Sequence, residues 1–389
     1  MTKNITADIR YIGVDDPTQN LFESQYATPD GMCYNSYVIL DDKIAVLDTS
    51  DSRTLASWKD NLSEVLAGRQ PDYLIVHHLE PDHASGIADV CAQYPALQIV
   101  CSAKALQMMP QYFDADLLQD RVLTVKEGDT LSLGRHTLRF IMAPMVHWPE
   151  VMVSYDDADC VLFSADGFGK FGVYDADADD WACEARRYYF NIVGKYGGPV
   201  ATLLKKAAAL DIQQILPLHG PVLSSEQLAE ALRLYGIWSS YGVETDGVFI
   251  AHASIHGNTA DAALRLMDIL KQKGCPKVAI SDLCRDDLGE AIEDAFRYGK
   301  MICMASSYDA SVFPPMYDFL HHLELKAYQQ RRVALVENGS WAPSAAKTMR
   351  HLLEGMKQLE IVEPVVTLRG RLKDTDLPQL EALADAILA

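Results

Sequence analysis

His77-His78-Leu79-Glu80-Pro81-Asp82-His83 follows directly on an apolar run, Tyr73-Leu74-Ile75-Val76. That run has the length and composition of a short buried strand, so the polar stretch lies at a strand end. Side chains alternate along extended backbone, which sends His78, Glu80 and Asp82 to one side. His77 points to the opposite face and reads as packing or support. His83 follows as the chain turns into Ala84-Ser85-Gly86. A polar turn capped by Asp82 needs one or two such groups. Four nitrogen and oxygen donors within six positions point instead to a metal site.

Three more candidates end apolar runs further along. His147 follows Phe140-Ile141-Met142-Ala143-Pro144 and sits in His147-Trp148-Pro149-Glu150; Asp166 comes after Val161-Leu162-Phe163-Ser164; His219 ends Ile215-Leu216-Pro217-Leu218. Singly, each is an ordinary core or capping residue. Together with the first cluster they make four imidazoles and three carboxylates. That is too many donors for one four-coordinate ion. It suits two ions sharing a bridging carboxylate.

The chain has 389 residues, long enough for two domains. A formal net charge of −20 disfavours nucleic acid as a partner, because phosphate binding needs a local excess of Lys and Arg. No apolar stretch reaches the length of a membrane span, and Met1-Thr2-Lys3-Asn4-Ile5 lacks a signal-peptide core. A cytoplasmic protein with no membrane partner is the expectation. The eight Cys are scattered without a Cys-x-x-Cys pair, which argues for reduced thiols rather than an iron–sulfur or Cys-rich zinc site.

In the first half, residues 33–40 read as a strand, 41–43 as a turn and 44–48 as its return. Helical periodicity runs from about 52 to 67 and again from near 85. Strands are expected at 97–101, 122–133, 136–143 and 159–164, and a helix over 225–240. Alternating strands and helices give an α/β class with two sheets.

The His-x-x-x-Asp-His frame of His78, Asp82 and His83, with downstream His147, Asp166 and His219, resembles the metallo-β-lactamase-like pattern. Hydrolases of that group usually carry His where this chain has Glu80. The substitution resembles the flavodiiron proteins, or A-type flavoproteins. Tyr34-Asn35-Ser36-Tyr37, His147-Trp148-Pro149 and Pro217-Leu218-His219-Gly220-Pro221 extend the likeness. Glu80 adds negative charge and a hard oxygen donor, and carboxylate with imidazole suits iron. The resemblance implies His78, Glu80 and His147 on one iron, Asp82, His83 and His219 on the other, and Asp166 between them. Trp148 reads as either a pocket wall or ordinary core.

The domain boundary is expected near 244–246, giving a metallo-β-lactamase-like di-iron domain over 1–245 and a second domain over 246–389. There the pattern becomes regular strand–helix alternation. Gly247 to Ala253 is an apolar strand that runs into Ser254-Ile255-His256-Gly257-Asn258-Thr259 and a helix. Hydroxyl and Gly residues between a strand and a helix N-terminus form a nest for an anion. The loop resembles the phosphate loop of flavodoxins, which bind FMN. Strands at 277–280, 301–305, 332–336 and 362–368 alternate with helices, the last over 377–388. Ser306-Ser307-Tyr308-Asp309 and Asn338-Gly339-Ser340-Trp341-Ala342 follow two of them as further flavin loops. Both depart from the family pattern, the first in lacking Asn-Gly before its aromatic. The expected fold is therefore an N-terminal metallo-β-lactamase-like αββα sandwich followed by a flavodoxin-like, doubly wound, five-stranded parallel sheet.

The resemblance implies an oxidoreductase in which FMN feeds two iron ions that reduce dioxygen to water, nitric oxide to nitrous oxide, or both. With no Cys-x-x-Cys pairs after the flavodoxin part, electrons are expected from a separate donor such as rubredoxin. A head-to-tail homodimer or homotetramer is implied, bringing one chain's FMN near its partner's iron. Two other readings use fewer of these parts: a binuclear zinc hydrolase, against which Glu80 argues, and an FMN electron carrier, which leaves seven donors without a purpose.

Overall fold

The computed structural model describes residues 2–176 and 180–389. The chain divides into two compact units, Met1–Tyr189 with Tyr196–Gly236, and Phe190–Lys195 with Ile237–Ala389. The sequence pattern places a single boundary at 245, whereas each unit here is built from two segments.

In the first unit a seven-stranded sheet runs in the order Lys3–Asn4, Ile9–Tyr11, Tyr37–Ile39, Ala45–Leu47, Tyr73–Val76, Gln98–Ser102, Val122–Val125. Its last four strands are parallel. A six-stranded sheet follows: Thr130–Ser132, Thr137–Met142, Met152–Asp156, Val161–Phe163, Gln214–Leu216, Leu223–Ser224. Period-two alternation sorts the first sheet's side chains between two cores. Val38, Val46, Leu74 and Val76 join Trp58, Leu62 and Leu66 of the helix Leu55–Leu66. Tyr37, Leu47 and Ile75 instead meet Leu138, Phe140, Met152 and Phe163 of the second sheet. Val161–Phe163 and Gln214–Leu216 are parallel neighbours, so the chain must cross over between them. It does so through the helices Trp181–Tyr188 and Gly197–Ala207.

Several expectations need correction. Residues 33–40 are not one strand. Met32–Tyr34 pairs with Val14–Asp16, and Tyr37–Ile39 enters the large sheet. Between them Asn35 is fully buried, and its side-chain amide donates to the carbonyls of Pro217 and Gly220. That demand breaks the strand. Residues 122–133 also split, into Val122–Val125 of one sheet and Thr130–Ser132 of the other. Gly128, at φ 81°, lies between them. The strand Met152–Asp156 was not expected at all.

The second unit is a five-stranded, all-parallel sheet in the order Val278–Asp282, Thr245–Ala253, Tyr298–Tyr308, Arg332–Asn338, Glu360–Leu368. This is the flavodoxin-like order, with helices covering both faces. Val248, Ile250, Ile302 and Val336 pack on Leu266 of the helix Asn258–Gln272 and on Leu380 and Leu383 of Leu377–Leu388. On the other face Phe249 meets Phe319 of Pro314–Leu325. Phe190 belongs to this unit because its ring stacks on Phe296 at 4.4 Å.

All eight cysteines are free. Burial pushes the Cys33 and Cys101 thiols up to about 12, so both stay protonated at neutral pH. No helix among the described residues is long and apolar enough to cross a membrane.

Candidate metal centre and flavin loops

The strand carrying the first cluster ends at Val76, four residues before Glu80. Pro81 then opens a single helical turn, Pro81–Ala84, as its fixed φ favours. Asp82 is therefore on a helical turn, not on extended backbone as expected, and His83 shares that turn. The turn swings these two away from the group that His78 and Glu80 join.

The seven donors gather as two groups. His78, Glu80, His147 and Asp166 form one; Asp82, His83 and His219 form the other. In the first, His78 Nε2 lies 3.2 Å from Glu80 Oε2 and 3.3 Å from Asp166 Oδ2. His147 Nε2 lies 3.1 Å from each of the same two oxygens. In the second, Asp82 Oδ2 is 3.3 Å from both His83 Nε2 and His219 Nε2, and the two imidazole nitrogens are 3.1 Å apart. Asp166 Oδ1 faces this group, 3.3 Å from His83 Nε2 and 3.7 Å from His219 Nε2. One carboxylate thus presents one oxygen to each group.

These spacings fit metal ions better than hydrogen bonds. Donors about 2.0–2.1 Å from one ion in a tetrahedral shell lie roughly 3.3 Å from each other. Both oxygens of Asp82 and of Asp166 are buried without a hydrogen-bond partner. Buried carboxylate oxygens are costly unless paired, and a cation between the groups would pair them. Four carboxylates, counting buried Glu150 beside His78, match the charge of two divalent ions.

Without such ions, protons carry that charge. Burial alone would depress His78, but Asp166, Glu150 and Glu80 outweigh it and hold the imidazole well above its usual range. His83 is raised in the same way against its burial, by Asp82 and Asp166. His147 is buried too, yet Asp166 and Glu80 raise it to about 9. Burial would raise Glu80 and Asp166; the facing imidazoles hold both well below the carboxylate range.

Surrounding residues fix the donors. His77, on the opposite side as expected, is buried; its Nδ1 donates to Asp48 at 2.6 Å and its Nε2 meets Ser154 Oγ at 2.8 Å. Asp48 also accepts from the His77 backbone N–H, which pins the start of the cluster. Trp148 stands edge-on to the His78 ring at 5.2 Å. Phe22 and Tyr188 meet the His219 ring at 5.5 and 5.6 Å. A cavity of about 330 Å³ opens beside two of the donors, Glu80 and Asp82, and is lined also by Phe22, Glu23, Tyr34 and Arg53 among others. Sequence reasoning missed Asp48, Phe22, Tyr188 and the role of Glu150; only Glu150, three residues after His147, lay in a stretch already singled out.

A third donor cluster, His136 with Asp156 and Asp159, is of a different kind. Arg135 reaches Asp159 at 2.5 Å and Asp8 at 2.8 Å, so a cation is already built in.

In the second unit, 254–257 and 339–342 follow the C-terminal ends of their parallel strands, whereas Ser306, Ser307 and Tyr308, expected in a loop, continue the strand Tyr298–Tyr308, and only Asp309 lies beyond it. Gly257 stands before the helix Asn258–Gln272 at φ 90°, and no side chain caps that helix. Ser254 Oγ accepts from the Gly257 N–H at 3.1 Å. Ile255 and His256 are exposed. Thr259 Oγ1 pairs with Ser306 Oγ at 3.0 Å and accepts from Asn338 Nδ2 at 3.3 Å, stitching the loops together. Ser307 is committed elsewhere, its Oγ accepting from the Ser344 and Ala345 N–H groups. Tyr308 ends a strand that turns back at Asp309 and Ala310, both at positive φ. Gly339 approaches Pro343 so closely that a Cβ would clash at 2.9 Å. Ser340, Trp341 and Ala342 are exposed, Trp341 at 90%. An uncapped helix start beside exposed aromatic rings fits a phosphate and a planar ring system.

Residues 32–220 match the family model described as ODP family beta lactamase. The anaerobic nitric oxide reductase flavorubredoxin of Escherichia coli is 25% identical over 89% of this chain and 74% of its own length. Rubredoxin oxygen:oxidoreductase from Desulfovibrio gigas superposes with a TM-score of 0.91 at 24% identity, covering 100% of this chain and 98% of its own. The flavodiiron protein of Giardia intestinalis superposes with a TM-score of 0.92 at 22% identity, over 99% and 96%. The two-domain architecture expected from the sequence is thus the one found.

Proposed function

We propose that this chain, which belongs to the flavodiiron protein family, is a terminal reductase of dioxygen, nitric oxide or both. The family is one of oxidoreductases. The observation that carries the reading is Asp166, whose two oxygens face two separate donor groups. Its cofactors are two non-haem iron ions and FMN. When bound, the iron pair supplies redox chemistry on small gases, and the flavin supplies electrons one or two at a time.

The residues divide the work. His78, Glu80 and His147 would hold one ion and Asp82, His83 and His219 the other, with one oxygen of Asp166 facing each group. Phe22, Tyr188 and Trp148 brace the imidazoles and keep bulk water off them. Glu80 and Asp82 border the cavity and set where a small molecule can approach. In the second unit the loop 254–259 takes the phosphate at the start of its helix. Residues 306–309 and 339–342, with Tyr308 and Trp341, surround the ring. Electrons come from a separate cytoplasmic donor such as rubredoxin, and a head-to-tail homodimer or homotetramer pairs one chain's flavin with its partner's iron.

The test is anaerobic. Protein loaded with Fe(II) and FMN and chemically reduced is exposed to each gas in turn, with zinc-loaded protein as control. The iron form is expected to turn nitric oxide into nitrous oxide, or dioxygen into water without releasing peroxide, in proportion to the electrons it holds; the zinc form should leave nitric oxide unreduced and turn dioxygen only into the peroxide that reduced flavin gives. Fully loaded, reduced protein that leaves nitric oxide unreduced and yields only peroxide from dioxygen would rule the reading out.

A further inference from the structure

Three of the four imidazoles show unequal support. His78 Nδ1 donates to Glu150 Oε1 at 2.8 Å. Glu150 is held in turn by the Leu79 backbone N–H at 3.0 Å, and both side chains are fully buried. His219 Nδ1 donates to a neutral acceptor, the Cys33 carbonyl, at 2.7 Å. His83 Nδ1 is buried without a partner.

This difference bears on the metal. A carboxylate behind an imidazole draws on the distal N–H and makes the facing nitrogen a stronger donor. A carbonyl does so less, and no partner does not do it at all. The other Glu150 oxygen, Oε2, is buried with no donor to share its charge. The effect therefore falls on His78 Nε2, the atom facing Glu80 and Asp166.

Glu150 also ties two segments of one group together. It sits three residues after His147 and anchors the residue beside His78, and its carbonyl accepts from Ser102 Oγ at 2.8 Å. One side chain thus fixes the spacing of the two imidazoles that serve the same ion.

We propose that Glu150 is a positioning residue that makes the His78–Glu80–His147 position the tighter of the two metal positions and the first to fill. The proposal rests on the di-iron reading above. The tight position has Glu80, one oxygen of Asp166 and a carboxylate-backed imidazole. The other has Asp82, the second oxygen of Asp166, and the imidazoles of His83 and His219, which lack that anionic support.

Anaerobic titration of the full, FMN-loaded chain with Co(II), followed by its visible absorption, tests this. Wild type is expected to bind two ions in sequence. Glu150→Gln keeps the shape and one acceptor oxygen but removes the charge. It should weaken the first event about 10- to 100-fold and leave the second unchanged, so that the two steps merge. Glu150→Gln with both events unchanged, or with only the second weakened, overturns the proposal. Should that variant fail to fold, His83→Ala reports the same order. It must keep the first binding event and its spectrum, and losing that event overturns the proposal as well. Wild type that binds fewer than two ions overturns the di-iron reading itself, an outcome distinct from two ions bound with Glu150 silent.

Discussion

Replacing Asp166 by Ala is expected to empty both metal positions, whereas replacing a ligand of one group should empty mainly that one. The asymmetry follows from geometry. Oδ2 of Asp166 faces His78 and His147, and Oδ1 faces His83 and His219. Removing it takes a donor from each ion and the one anion between two like charges. Supporting residues alone change metal affinity by about 10–100-fold, so loss of a shared ligand should exceed that at both positions. Iron per chain should fall from two to well below one, and gas consumption should fall with it by more than about 100-fold. Flavin content should stay at one per chain, because every candidate flavin contact lies in the other unit. His219→Ala is the comparison and should keep close to one ion. Metal analysis and flavin absorbance on the same preparations check all three quantities. An Asp166→Ala protein that retains two irons would remove the bridge from the account.

How much of this could be read from the chain depends on which forces are local. The strand Tyr73–Val76 was legible because four apolar residues are followed at once by a polar cluster. The all-parallel sheet was legible because each of its strands is an apolar run separated from the next by a helix. Met152–Asp156 was not. It is buried along its whole length yet contains Ser154 and Asp156, which break any apolar pattern. Those two are buried because His77 and His136 need them as partners, at 2.8 and 2.9 Å. The two- and three-residue strands before Ala27 are too short to show a period.

The candidate site shows the same division. That these seven side chains gather was legible because His, Glu and Asp recur at the ends of apolar runs in a recognisable frame. Their supports were not, because a single Glu or Asp gains its meaning only from what faces it. Asp48 reads as the end of an apolar run until His77 is seen against it. Likewise, nothing within 190–195 announces that Phe190 packs on Phe296 rather than with the helix that precedes it.

The metal-free protein should lose stability as pH rises from about 6.5 to about 9, the range between the ordinary and the raised value for His147. A group whose pKa is raised on folding stabilises fully below its unfolded value, and that contribution disappears as pH climbs through the folded value. His78 and His83 are raised as well and act in the same direction. For His147 alone the span is worth about 3 kcal/mol, at 1.36 kcal/mol per unit. Glu80 and Asp166 work at the other end: their pKa values are lowered, so their contribution is present above the ordinary carboxylate value and lost as pH falls below it. From this cluster alone, the metal-free first unit is most stable between about pH 4.5 and 6.5. Divalent ions replace the protons, so loading should raise the melting temperature more at pH 9 than at pH 6, with protons released on binding. Calorimetry of chelator-treated and Fe(II)-loaded protein across that range measures both curves. A metal-free transition that stays level from pH 6 to 9, or a metal increment larger at pH 6, would mean that protons do not hold the carboxylates together when the ions are gone.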